Sequence, residues 1–214
     1  MNSVTQIPSD EKSFADRILV KAHDLFYRDG IRATGIDRII AESGVSKKTF
    51  YRYYPSKNDL ILKFLEYRHR NWMRWFEEAL ERHGRTDEAI VPALEEWFRS
   101  ETYRGCAFIN AAVELGTTFP EAVELSRRHK ADMTEIIRRV LPHSPTTADD
   151  ARALAIAVDG AIVGVQFGVP AAEVLMSLTW LVLSIGAMPE ERLAAARALN
   201  RERAMSTLVD AHAT

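Results

Sequence analysis

Thr34-Gly35-Ile36, followed by Ile40-Ala41-Glu42-Ser43-Gly44-Val45-Ser46-Lys47-Lys48-Thr49-Phe50-Tyr51-Arg52-Tyr53-Tyr54-Pro55, is the stretch whose punctuation decides the fold. Thr34 is placed to cap a short helix carrying Ile36, Ile39 and Ile40, and Gly44 stops it where the backbone needs a positive φ. Ser46 is placed to cap a second helix from Lys47 to about Tyr53, with Phe50 and Tyr54 spaced to pack inward. Two helices with so short a join, a small residue (Ala41) at their crossing, glycine in the turn and an apolar residue (Val45) sealing the angle describe a helix-turn-helix. The outer face of its second helix offers Lys47, Lys48, Thr49, Tyr51, Arg52 and Tyr53.

That face suits a major groove: short side chains such as Thr49 reach base edges, while Lys47, Lys48 and Tyr51 hold phosphates and fix the register. Backbone N–H groups near Thr34 add an anion site. Charge supports this only locally. The 214-residue chain has a formal net charge of −2. Between Arg32 and Lys57, however, six basic residues (Arg32, Arg38, Lys47, Lys48, Arg52 and Lys57) face two acidic ones, Asp37 and Glu42.

Outward from this motif, helical periodicity continues and no run of alternating β-branched residues suggests a sheet. A first helix is expected over about Lys12–Asp29, with Phe14, Ile18, Ala22, Leu25 and Phe26 on one face and Gly30 as its stop. A long fourth helix, about Lys57–Arg82, carries Ile61, Phe64, Leu65, Trp72, Trp75, Phe76 and Leu80. Its apolar stripe breaks at Arg68–Asn71, as expected of one helix serving two cores. Further helices are expected at about Asp87–Tyr103, Ala107–Thr118, Pro120–Leu141, Thr147–Phe167 and Ala171–Ala187, with one more from Glu190. The fold class is all-α: a helix-turn-helix domain over 1–57, ordered from about 12, and a C-terminal helical domain over 58–214.

A single cysteine, Cys106, leaves no intramolecular disulfide, and a polar N-terminus without a signal-like apolar core fits a cytoplasmic protein. The apolar stretches near 153–165 and 174–187 read as buried helices, not as membrane spans. Six scattered histidines show no paired-ligand spacing, so no metal, cofactor or catalytic constellation is expected. A helical enzyme and an oxidation-sensing regulator built on Cys106 are the rival readings.

The segment from Thr34 to Leu60 resembles the N-terminal domain of tetracycline-repressor-like (TetR/AcrR) regulators, over roughly Phe14–Ile61. Lys48 stands where that family often has a small residue, and Tyr54 where it often has phenylalanine. The resemblance implies a three-helix domain on double-stranded operator DNA, a homodimer, repression, and release by a small effector held in a divergent C-terminal domain. Carried over by position, it implies DNA contacts from Thr34, Ser46, Lys47, Thr49, Tyr51, Tyr53 and Lys57. Arg32, Lys48 and Arg52 join them on charge and location alone.

The stretch Arg104-Gly105-Cys106-Ala107-Phe108-Ile109-Asn110-Ala111-Ala112-Val113-Glu114 more weakly resembles C-terminal domains of the same family. Phe108 within it, with Trp72, Trp75, Phe76, Trp97, Phe98, Phe119 and Met133, offers surface for a mostly apolar or aromatic effector. Asn110 and Glu114, four apart on one helical face, could orient it or equally satisfy a buried backbone group or face solvent, Asn110 being the better candidate to orient it. Dimerisation through about 147–187 is what the resemblance implies, with Ala157, Gly160, Ala161 and Gly164 allowing close approach. Asp159, a carboxylate within an apolar stretch, is expected to be paired.

Overall fold

The computed structural model describes residues 13–185, all of whose regular elements are helical. The helix expected from Glu190 and the residues before Ser13 lie outside the described residues. The first helix, α1 (Phe14–Asp29), is capped by Ser13, whose Oγ accepts the Asp16 N–H, and ends at Gly30 with φ 91°. Ile18, Ala22, Leu25 and Phe26 form its buried face. Phe14 does not join them: it overhangs the first turn, exposed, beneath the Arg17 guanidinium.

Next come α2 (Ile36–Ser43), α3 (Lys47–Tyr53) and α4 (Lys57–Arg82). Thr34 caps nothing. Its side chain is fully buried and its hydroxyl donates to the Gly30 carbonyl at 2.7 Å, so Gly35 takes the N-cap position of α2 without a side-chain bond. The expected break in the α4 stripe is also absent. Tyr67 and Arg68 are both buried, the Arg68 guanidinium lying over the Tyr27 ring of α1, 4.1 Å from its centroid. The helix serves both ends of one core. Phe64 meets Phe26 of α1 edge-on at 5.4 Å, while Trp72 packs against Phe76 at 4.8 Å and Trp97 at 5.7 Å.

The body comprises α5 (Ile90–Phe98), α6 (Ala107–Leu115), α7 (Pro120–Val140), α8 (Thr147–Gln166) and α9 (Ala171–Ser184). α5 stops short of Tyr103. Ser100 turns the chain, accepting the Thr102 N–H, and Tyr103 folds back to pack edge-on against Trp97 and Phe98 and to donate to the Ile162 carbonyl at 2.6 Å. α7 runs through the centre, packed on α4, α6 and α8, and α9 lies on α8 and α5. Asp159 of α8 pairs with Lys130 of α7 at 2.5 Å, which accounts for a carboxylate on an otherwise apolar helix. Buried side chains form one continuous cluster from Ile18 to Val182.

The small residues of α8 divide. Ala161 is buried, and a Cβ on Gly164 would touch Val174 of α9 at 3.4 Å, so both serve packing within the chain. Gly160 faces open space. Around it and along α9, Ile156, Phe167, Met176, Trp180, Leu181 and Leu183 are exposed.

Candidate nucleic-acid interface

The turn between α2 and α3 is pinned from both sides. Gly44 sits in the left-handed region (φ 65°, ψ 33°), and its N–H returns to the Ile40 and Ala41 carbonyls. From α1, Arg17 donates to the Ser43 carbonyl at 2.8 Å and approaches that of Gly44 at 3.4 Å. Val45 and the fully buried Ile39 and Phe50 seal the angle beneath. Ala41 is exposed, so it does not fill the crossing. Tyr54 anchors the far end of α3, its hydroxyl donating to the Ala15 carbonyl at 3.1 Å. Burial raises the Tyr54 phenol to about 12, which keeps it a donor.

On this scaffold the outer face of α3 is presented as a unit. Ser46 Oγ accepts the Thr49 N–H at 3.1 Å and lies 2.8 Å from Thr49 Oγ1, so the two hydroxyls stand together at the start of the helix. Ser46, Lys47, Lys48, Tyr51, Arg52 and Tyr53 are exposed and Thr49 is half-buried. Arg32 is exposed in the loop before α2. The N-terminal N–H groups of α2 carry no side-chain cap, a geometry suited to a phosphate oxygen. Two candidates are placed elsewhere. Thr34 is buried, and the half-buried Lys57 lays its ammonium 6.0 Å from the Phe26 ring, where burial lowers its pKa against the pull of Glu114.

Glu114 is the reason for that pull, and it satisfies a backbone group. Its carboxylate accepts the backbone N–H of Arg32 at 2.8 Å, tying α6 to the loop that precedes α2. Asn110, one turn earlier, donates to the Arg104 carbonyl and accepts from Gln166. Both residues border an open cleft of about 470 Å³ between α1, α6 and the end of α8, away from the aromatic cluster. Tyr27 spans the same seam: its hydroxyl donates to the Gly105 carbonyl at 2.9 Å and accepts the Arg104 N–H at 3.0 Å.

Inside the body, Trp72, Trp97, Phe108 and Met133 do converge, around a cavity of about 10 Å³ that they share with Arg68, Cys106, Ala107, His129, Lys130 and Ile162. That volume is room for about one water. Trp75, Phe76, Phe98 and Phe119 do not line it. His129 is stacked on Phe108, ring centroids 3.7 Å apart, and is held well below its usual pKa by burial, then by the charges of Lys130, His69 and Arg68. Cys106 is buried, its Sγ 3.3 Å from Lys130 Nζ. Arg68 and His129 were missed in the sequence; the break in the α4 stripe at Arg68 was the one available signal. Among the described residues no cluster of three or more metal-ligating side chains occurs, and no helix is long and apolar enough to cross a membrane.

Comparison with known proteins agrees with this geometry. Residues 18–64 match the family described as bacterial regulatory proteins, tetR family. The chain is 29% identical over 93 residues to the HTH-type transcriptional activator FasR of Mycolicibacterium smegmatis, covering 44% of this chain and 42% of that protein. It is 25% identical over 105 residues to an uncharacterized HTH-type transcriptional regulator of Lactococcus lactis, covering 47% of this chain and 54% of that one. The matches thus span about half the length of these relatives. The fold extends further: a TetR-family transcriptional regulator from Streptomyces coelicolor superposes with a TM-score of 0.66 at 27% identity, over 81% of this chain and 94% of that one. Residues 18–64 thus carry the helix-turn-helix domain of the tetR family of bacterial regulatory proteins, on a helical body that shares the architecture of TetR-family regulators.

Proposed function

We propose that the chain is a DNA-binding transcriptional regulator, acting as a homodimeric repressor that a small molecule in the helical body releases from its operator. The observation that carries the reading is the exposed α3 face on a turn clamped by Arg17 and capped by Ser46. Residues 1–57 form the reading module and 58–214 the regulatory one, with α4 common to both. Ser46 and Thr49 meet base edges, and Lys47, Lys48, Tyr51, Arg52, Tyr53 and Arg32 meet the backbone. Lys57 joins only by swinging off the Phe26 ring.

A second copy of the chain is the partner proposed for the exposed apolar face of α8 and α9. A two-fold axis there would set the spacing of two α3 helices, which must be about 34 Å to reach successive major grooves. An effector that favours another spacing weakens DNA binding by its differential affinity for the two shapes.

The test is unbiased selection of bound sequences from random duplex DNA. The expected result is an inverted repeat, with affinity falling at least about tenfold in Tyr51→Ala at unchanged helicity. Selection of no sequence, or unaltered affinity in Tyr51→Ala and Lys48→Ala together, overturns the docking. Reporter expression from a promoter carrying the selected repeat decides the sign, since the FasR relative is named an activator.

A further inference from the structure

Arg68 lies in the middle of α4 at 4% exposure, and among the described residues no carboxylate lies within ion-pair distance of it. A positive charge so nearly covered and without a counter-charge is disfavoured. The quadrupole of the Tyr27 ring offsets only part of that. One turn later on the same helix, Trp72 holds the second anomaly: its indole Nε1–H is buried and has no acceptor. Residues four apart share a helix face, and both border the cavity lined by Trp97, Phe108 and His129.

The other charges there are accounted for. Lys130 is matched by Asp159 at 2.5 Å and lies against Cys106. Thus a positive charge without a counter-charge and a neutral N–H without an acceptor belong to two side chains that border the same aromatic space. We propose that Arg68 and the Trp72 indole N–H form the seat of a carboxylate, and that the effector is a small aromatic carboxylate whose ring lies among Trp72, Trp97 and Phe108. A carboxylate is acceptor-only and matches the guanidinium fork in two parallel hydrogen bonds. One cation and one neutral donor balance a monoanion, not a phosphate dianion.

The same site explains how occupancy reaches the DNA module, and this part rests on the function proposed above. A cavity of about 10 Å³ admits no aromatic ring until its walls part. Those walls are α4, α5, α7, α8 and the start of α6. A carboxylate drawing the guanidinium into the cavity also takes it off Tyr27, the α1 residue bonded to Gly105 and Arg104. Ligand binding and the seating of α1 on the body thereby compete for one side chain.

The experiment is calorimetric titration of the full chain, without DNA, with two matched pairs: benzoate against benzamide, and phenylacetate against phenylacetamide. The expected result is at least about tenfold tighter binding of each acid than of its amide, lost in Arg68→Met. Trp72→Phe keeps the ring and removes the N–H, and should weaken the acids severalfold while leaving the amides unchanged. Free Arg68→Met should melt no lower than the wild type, because an unmatched charge has been removed. No saturable response to either acid overturns the assignment, as do equal acid and amide affinities or an acid preference that survives in Arg68→Met. A lowered melting temperature of the free Arg68→Met chain would instead make Arg68 a structural prop for Tyr27. Because DNA is absent, failure here leaves the DNA-binding function standing, and failure of sequence selection leaves carboxylate binding standing.

Discussion

At the scale of single residues, hydroxyls and imidazoles give the sharpest expectations. Ser46→Ala removes the N-cap of α3 and should cost about 1 kcal/mol, read as a lowered denaturation midpoint at unchanged slope. It also unpairs Thr49 Oγ1, so affinity for the selected DNA should fall by more than the loss of folded protein explains. His129, His23 and His69 are each depressed, in every case with burial as the largest cause. For a histidine lowered on folding, the unfolded chain binds protons first as pH falls below about 6.5, its ordinary value. Stability is therefore full above that point and drains as acid is added. Asp29 and Glu135, held at about 2 by the hydrogen bonds of Arg28 and Arg138, remain ionised throughout and do not blur the window. A melting-temperature series from pH 8 to pH 5 should slope downward below about 6.5, less steeply in His129→Gln; a flat series contradicts the neutral, buried imidazole.

At the scale of elements, the helix boundaries that local chemistry sets were legible in the sequence. Gly30, Gly44, Ser46 and Pro120 mark helix ends through their own backbone or hydroxyl, with no knowledge of the rest of the fold. Thr34, Tyr103 and Arg68 were misplaced for the opposite reason. Each is fixed by a group that helical period does not name: the Gly30 carbonyl four residues back, the Ile162 carbonyl and the Tyr27 ring. For the candidate interface, the exposed α3 face was readable because it depends on period alone. The inward lean of Lys57 was not, since Phe26 and Glu114 determine it. The α2–α3 turn supplies an element-level test. Gly44→Ala forces an L side chain into φ 65° and sets a Cβ 3.0 Å from the Arg17 guanidinium, at a cost of about 1–2 kcal/mol. Arg17→Ala should lower DNA affinity without touching the helix that reads it, with α3 amides exchanging faster in hydrogen-exchange measurements.

At the scale of the whole molecule, Met176, Trp180 and Leu183 form an i, i+4, i+7 stripe on α9 that is exposed among the described residues. Trp180→Glu should convert a dimer to a monomer in sedimentation equilibrium and abolish binding to an inverted repeat while sparing the fold. A monomeric wild type overturns the proposed dimer, and a variant that remains dimeric places its axis elsewhere. The surface proposed to meet DNA has a further property that follows from how its charges are already arranged. Lys47 stands 3.7 Å from Asp37, and Arg38 is shared between Asp29 and Glu42, whereas Lys48 and Arg52 have no ion-pair partner among the described residues. Carboxylates of the protein's own thus occupy part of the place that mobile anions would take around free cations. Docking on a phosphate chain exchanges those internal counterions as well as releasing the cations condensed on the DNA. The logarithmic dependence of affinity on salt should then be shallower than the count of basic residues on this face implies, and it should steepen toward that count when Asp37 is replaced by Asn.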